Sequence, residues 1–336
     1  MILLKARVFK LVLLLAIAAT MPSVIMAQTQ MNEIPLSGGS AGGGATKSGG
    51  GATLEGGAMS GDLTQTVSTA GPEAVAFDGT NIWVAAQFNN SITRIRVSDS
   101  TVTGTFTVGK RPVALLSAGG FVWVANLLSN SVMKITPSTG AIAATYTIAD
   151  GPGGLAFDGT NIWVANRHSN NVTKLSTAGA VLGTFAVGKR PIGLAFAANS
   201  IWVANNKSNS VTRLSLAGAV LGTYEAGKGP FGVAGAGDGV FVTNYFSQTV
   251  TKLRAQDGFN LGTFKVGDGA AGIAFDGNSL WVVNNGDSNV MKVSPADGAV
   301  IATYVTGKGP FGVVFDGSQV WVSNFASNSV SKTAAN

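Results

Sequence analysis

The sequence predicts an all-β chain, a seven-bladed β-propeller whose last blade is closed by the N-terminal strand. Three repeating observations carry that expectation. An aromatic recurs within an apolar strand at Trp83, Trp123, Trp163, Trp202, Phe241, Trp281 and Trp321. A proline leads each unit at Pro72, Pro112, Pro152, Pro191, Pro230 and Pro310, with Ala270 in the sixth. A cation follows each aromatic at a constant offset: Arg94, Lys134, Lys174, Arg213, Lys252, Lys292 and Lys332. Periods of about 40 residues made of short strands mark propeller blades.

The third unit shows the four strands in order. Residues 154–157 (Gly-Leu-Ala-Phe) lead to the turn Asp158-Gly159-Thr160-Asn161. Residues 162–165 (Ile-Trp-Val-Ala) form the second strand, 172–175 the third and 182–187 the fourth. β-Branched and aromatic residues fill the strands, and Gly, Asp, Asn and Ser fill the joints. Small residues on the first strand (Gly193/Ala195, Gly232/Ala234, Gly272/Ala274) suit the crowded axis of a ring. The chain stops after the third strand of the last unit, whereas Leu63–Thr69 resembles a fourth strand without a blade. The N-terminal strand is therefore expected to complete the last blade, covering an edge that would otherwise invite aggregation.

The domain boundaries follow from composition. Residues 1–27 combine Lys5, Arg7 and Lys10, an apolar run from Leu11 to Ala19, and the small Ala27. This is a secretory pattern, with an uncleaved anchor as the alternative. Residues 28–60, rich in Gly, Ser, Ala and Thr, read as a flexible tether. The propeller occupies 62–336. The absence of cysteine excludes disulfides, thiolate zinc sites and a Cys nucleophile. Past the signal, 19 basic residues face 16 acidic ones, too even and too scattered for nucleic-acid binding.

Segments such as Pro191-Ile-Gly-Leu-Ala-Phe196, Ile201-Trp-Val-Ala-Asn205 and Ser208-Asn-Ser-Val-Thr-Arg213 resemble bacterial YVTN-type propeller repeats. They are also similar to NHL repeats and to the virginiamycin B lyase-like group. The resemblance implies the fold over 62–336; those families include binders, scaffolds and a few enzymes. For the lyase-like group it implies a metal-assisted elimination using histidine and acid groups. This chain has one histidine, His168, and the propeller only two glutamates, Glu73 and Glu225. No catalytic residue, metal site or cofactor is assigned.

Candidate binding residues lie where the units differ. Loops between second and third strands, and between blades, share one face in propellers. Their variable positions predict a rim of aromatics and cations: Phe88, Lys110, Arg111, Leu128, Arg167, His168, Lys189, Arg190, Lys207, Lys228, Tyr245, Phe246 and Phe325. The recurring Asn126, Asn166, Asn205, Asn244, Asn284 and Asn324 are expected to bond their own loop backbones. The third-strand cations are expected to lay their stems between blades with the charge in water. Asp78, Asp158, Asp276 and Asp316 are turn residues. The function expected is an extracytoplasmic, monomeric module that binds a protein, peptide or glycan, with an anionic group favoured and without a membrane span once the signal is removed. A lyase or hydrolase and a surface-display module are the alternatives.

Overall fold

The computed structural model describes residues 70–335 and the backbone of Gly57–Ala58 and Asp62–Leu63. The expected signal (1–27) and most of the expected tether (28–60) lie outside the described residues. Seven antiparallel blades, each of four strands, follow one another around a ring, as predicted. Blades one to six span residues 72–107, 112–147, 152–186, 191–225, 230–265 and 270–305. The seventh has three strands, Pro310–Phe315, Gln319–Asn324 and Ser329–Ala334. Asp62–Leu63 completes it, pairing antiparallel with Ser331 and Val330. Residues 64–69 of the expected closing strand lie outside the described residues. Gly57–Ala58, at the end of the tether, runs parallel beside Tyr304 and Val305 of blade six. The only helix among the described residues is a single 3-10 turn, Leu127–Ser129, and none is long and apolar enough to cross a membrane.

The core sits between blades rather than within one sheet. Trp123, Ala125 and Val132 of blade two pack with Leu155, Ile162 and Val164 of blade three, all buried. The innermost strands crowd together as the small residues predict. A Cβ on Gly312 would lie 2.7 Å from the Glu73 carbonyl of the next blade.

Each repeated marker does structural work. The indoles of Trp83, Trp163, Trp281 and Trp321 donate to Asp78, Asp158, Asp276 and Asp316 at 2.7–2.8 Å. The same carboxylates accept turn N–H groups, as at Thr160 and Asn161. Where the fifth residue before the Trp is alanine, the indole uses a backbone carbonyl, Ala118 or Ala197. Blade five has Ala236 there, and its aromatic is Phe241, which has no N–H to satisfy.

The third-strand cations correct one expectation. Each lies 5.0–5.7 Å from the aromatic ring of its own blade. The charge, expected in water, instead crosses to the outer turn of the next blade. Arg94 donates to the Pro137 carbonyl, Lys134 to Thr177, Lys174 to Leu216, Arg213 to Gln256, Lys252 to Pro295 and Lys292 to Ala335. Lys332 closes the ring onto the Ser100 hydroxyl of blade one. The reason is geometric: a long side chain over the Trp face points at the neighbour's turn, whose carbonyls lack strand partners.

Candidate binding face at the channel mouth

The Asn residues ending the second strands are buried and also depart from expectation. Their amides donate to side chains on the third strand of the same blade, and one, Asn284, also accepts from loop backbone, the Gly267 N–H at 3.1 Å. Asn205 bonds Ser210 and Thr212, Asn244 bonds Thr249 and Thr251, and Asn324 bonds Ser329 and Ser331. A hydroxyl two residues along a strand returns to the same face, which places it opposite the amide.

The variable loops are pinned by one repeated backbone bond. The residue after each Asn position donates its N–H to the inter-blade loop: Gln87 to Gly71, Leu127 to Arg111, Arg167 to Gly151, Asn206 to Arg190, Tyr245 to Gly229, Asn285 to Gly269 and Phe325 to Gly309, at 2.8–3.1 Å. The two sets of loops therefore share a face. The bond also splits the predicted rim into two tiers. The outer tier is exposed: Phe88, Lys110, Leu128, His168, Lys189, Lys207, Lys228 and Phe246. Arg111, Arg190, Tyr245 and Phe325 are half-buried, and Arg167 is only 2% exposed. Arg167 is thus not the surface cation its sequence position suggested. A Cβ on Gly153 would collide with its Nε, so that glycine makes room for the inward-turned side chain.

Below the rim lies an axial layer that sequence reasoning missed. The residue following each leading Pro (or Ala270) faces the axis: Glu73, Val113, Gly153, Ile192, Phe231, Ala271 and Phe311. Ile192, Phe231, Ala271 and Phe311 come from four blades yet form one buried cluster, with Tyr245 and Phe325 packed against it. The available signal was variation at this one position of an otherwise uniform inner strand.

Two features meet at the mouth. Six rings form a continuous chain. Phe88 meets Phe325 at 5.5 Å, Phe325 meets Phe311 at 5.8 Å, and Phe311 meets Phe231 at 6.3 Å. Phe231 then meets Tyr245 at 5.9 Å, and Tyr245 meets Phe246 at 5.2 Å. Glu73 is 0% exposed, and neither carboxylate oxygen accepts a hydrogen bond among the described residues. Burial pushes its carboxyl well above the usual range; the Arg167 and Arg111 guanidiniums oppose this without cancelling it. Arg111 also donates from Nε to the Gln87 side-chain oxygen Oε1 at 2.8 Å.

Arg111 and Arg190 sit in the left-handed region, at φ 56° and 53°. The equivalent residues of the other five units are Gly71, Gly151, Gly229, Gly269 and Gly309, at φ 62–71°. A non-glycine residue there costs about 1 kcal/mol. The two arginines occupy positions where glycine would be easier.

A pH dependence follows from Glu73. A carboxyl with a raised native pKa contributes stability that is complete below the usual Glu value of 4.5 and is lost as pH rises through its native value. Glu73→Gln cannot titrate. The gap between variant and wild-type thermal midpoints is therefore expected to move in the variant's favour as pH rises from about 4.5. Parallel midpoint curves would show that Glu73 is not held in this way.

His168 approaches the Asp150 carboxylate at 3.5 Å on the exposed rim. Among the described residues no group of three His, Asp or Glu side chains could hold a metal ion. The donors a metal-assisted elimination needs are not assembled, so the residues present do not fit that group and no such step is derived.

The ring defines this chain as a seven-bladed propeller with the fold of virginiamycin B lyase. A catalytically inactive histidine-to-alanine variant of virginiamycin B lyase from Staphylococcus aureus, solved with quinupristin, superposes with a TM-score of 0.73 at 19% identity, covering 82% of this chain and 99% of that one. Hydrazine synthase of Kuenenia stuttgartiensis gives 0.71 at 18% identity over 82% and 99%. BamB from Moraxella catarrhalis gives 0.57 at 14% identity over 79% and 84%. At these identities the likeness is one of fold alone. No family model and no curated protein matches the chain.

Proposed function

We propose that the chain is an extracytoplasmic, monomeric binding module that takes a protein, peptide or glycan at the channel mouth. The observation that carries this is the division of labour within the repeat. The Trp, cation, Asn and Asp markers are consumed in building the ring. The positions that vary instead assemble the six-ring chain, whose ends Phe88 and Phe246 are 62% and 65% exposed. Exposed rings joined to a buried aromatic cluster are unusual on a surface with no partner. Around them stand Lys110, Arg111, Lys189, Arg190, Lys207, Lys228 and Lys308, against Asp150, Asp268 and Asp287. That balance favours an anionic group on the partner and binding that weakens with salt. The secretory pattern of residues 1–27 and the Gly-rich tether supply the address. For a lyase, no acid and histidine set is assembled among the described residues. A display module would leave the aromatic chain without a purpose.

The test is capture of the partner from the producing cell's envelope and medium with the tagged mature chain, identified by mass spectrometry. A Phe88→Ser/Phe246→Ser variant is expected to lose about 1–3 kcal/mol per buried contact. Arg190→Gly and Lys207→Ala are expected to weaken capture mainly at low salt. Lys134→Ala, remote from the mouth, is expected to capture normally. Unchanged capture by the Phe88/Phe246 variant would place the site elsewhere.

A further inference from the structure

We propose that an open cleft at the joint between blades one and two, on the face away from the mouth, binds a small, singly charged hydroxy acid with its carboxylate on Arg96. The cleft is separate from the mouth, so its failure would leave the binding reading above untouched.

The first support is space. The cleft encloses about 420 Å³ between the first turn of blade one, at Asp78, Thr80 and Asn81, and the outer turn of blade two, at Pro137 and Ser138. That volume falls within the range of small-molecule sites. Both turns lie at the end opposite the variable loops, because successive strands of a blade reverse direction. The second support is a guanidinium with one edge open. Arg96 lines the cleft and donates only from Nη1, to Asp99 at 2.8 Å. Asp99 does not close the fork, since its other oxygen accepts the N–H and the hydroxyl of Thr101 at 3.0 and 2.7 Å. Arg254, at the same place in blade five, is closed: it grips Asp257 through Nε and Nη2 at 2.9 and 2.6 Å. The Nε–Nη2 edge left open on Arg96 is one that can hold a carboxylate by two parallel bonds.

The third support is that the repeat does not require this polarity. At the place of Arg96 the other units have Thr136, Ser176, Ser215, Arg254, Ser294 and Ala334. At the place of Thr103, which also lines the cleft, they have Ala143, Leu182, Leu221, Leu261 and Ile301. The exposed hydroxyls of Thr80 and Ser138 form no hydrogen bond among the described residues. The fourth is charge. The Asp78 carboxylate is filled by the Thr80 and Asn81 N–H groups and the Trp83 indole, at 2.7–2.8 Å, and offers little to a cation. Arg94 is fixed over the Trp83 ring by the Thr103 hydroxyl and the Pro137 carbonyl. The lining thus carries two guanidiniums against one carboxylate, with Asp99 beside Arg96. That balance attracts one negative charge and disfavours a phosphate dianion. Hydroxyls next to the ligand's carboxylate find partners in Thr80 and Ser138.

The experiment titrates the full mature chain by calorimetry at constant ionic strength with glucuronate, glucose, acetate and inorganic phosphate. Glucuronate is expected to bind with a Kd of about 1 mM. Glucose, without the carboxylate, and acetate, without the hydroxyls, are each expected to bind more weakly. Arg96→Gln is expected to weaken glucuronate by about tenfold or more, and Ser138→Ala by a smaller factor. Both residues are exposed, so both variants are expected to melt as wild type does. Arg254→Gln, in the closed counterpart, and Lys207→Ala, at the mouth, are expected to bind as wild type does. Absence of glucuronate binding, or unchanged affinity in Arg96→Gln, overturns the proposal. Equal or tighter binding of glucose, acetate or phosphate overturns the ligand class. A loss in Arg254→Gln or Lys207→Ala equal to that in Arg96→Gln overturns the placement.

Discussion

Removal of residues 61–70 is expected to lower stability by on the order of 5 kcal/mol, roughly 10–20 °C in thermal midpoint for a domain of this size. Removal of residues 28–60 is expected to cost no more than about 1 kcal/mol. The contrast follows from the pairing of Asp62–Leu63 with Ser331 and Val330. That strand covers the third strand of blade seven, where Val330 is buried against Ile82 and Val84 of blade one. Without it the seam between last and first blades loses its outer cover. Among the described residues the longer deletion removes the two-residue parallel pairing of Gly57–Ala58 on blade six. Thermal melts of the two truncated proteins decide the matter. Equal midpoints would contradict closure by the N-terminal strand.

Trp163→Ala is expected to destabilise the chain by about 3–5 kcal/mol, since it empties a fully buried site between blades. The indole contacts Phe185 at 5.7 Å, carries Lys174 over its face and donates to Asp158 at 2.8 Å. Burial pushes the Asp158 carboxyl up, but bonds from Trp163, Asn161 and Thr160 outweigh it and hold it below its usual range. Trp163→Phe keeps most of the volume and imitates blade five. It is expected to cost only about 1–2 kcal/mol, chiefly by depriving Asp158 of the indole N–H. Denaturant melts of both variants measure the difference. Similar losses would mean that the hydrogen bond, not the packed volume, dominates.

The ring was legible in the sequence because every blade meets the same packing demands. A wide gap between sheets wants a Trp, a crowded axis wants Gly or Ala, and a tight turn wants Asp-Gly. Each demand recurs with the period and so stands out. The destinations of the side chains were less legible. Lys134 reaches the carbonyl of Thr177, a contact made through backbone atoms that no residue type announces. The candidate site was half visible. Phe88, Tyr245, Phe246 and Phe325 stood out as variable loop residues, and the structure brings them into one chain of rings. Glu73, Phe231 and Phe311 did not, because one residue per blade acquires meaning only when seven blades bring it to one axis. The inward turn of Arg167 depends on the space above Gly153, an absence of side chain that a search for functional groups passes over.

The latches between blades have an evolutionary corollary. Six of the seven cations grip main-chain carbonyls of the following unit. A grip on main chain is indifferent to what the neighbour's side chains are. Any copy of the unit can therefore receive this latch from any other at six joints, so that what must match between neighbours is left to the packed seam. Only the Lys332–Ser100 joint asks for a particular side chain. New combinations of mouth residues can thus be dealt by reshuffling units without losing the latches.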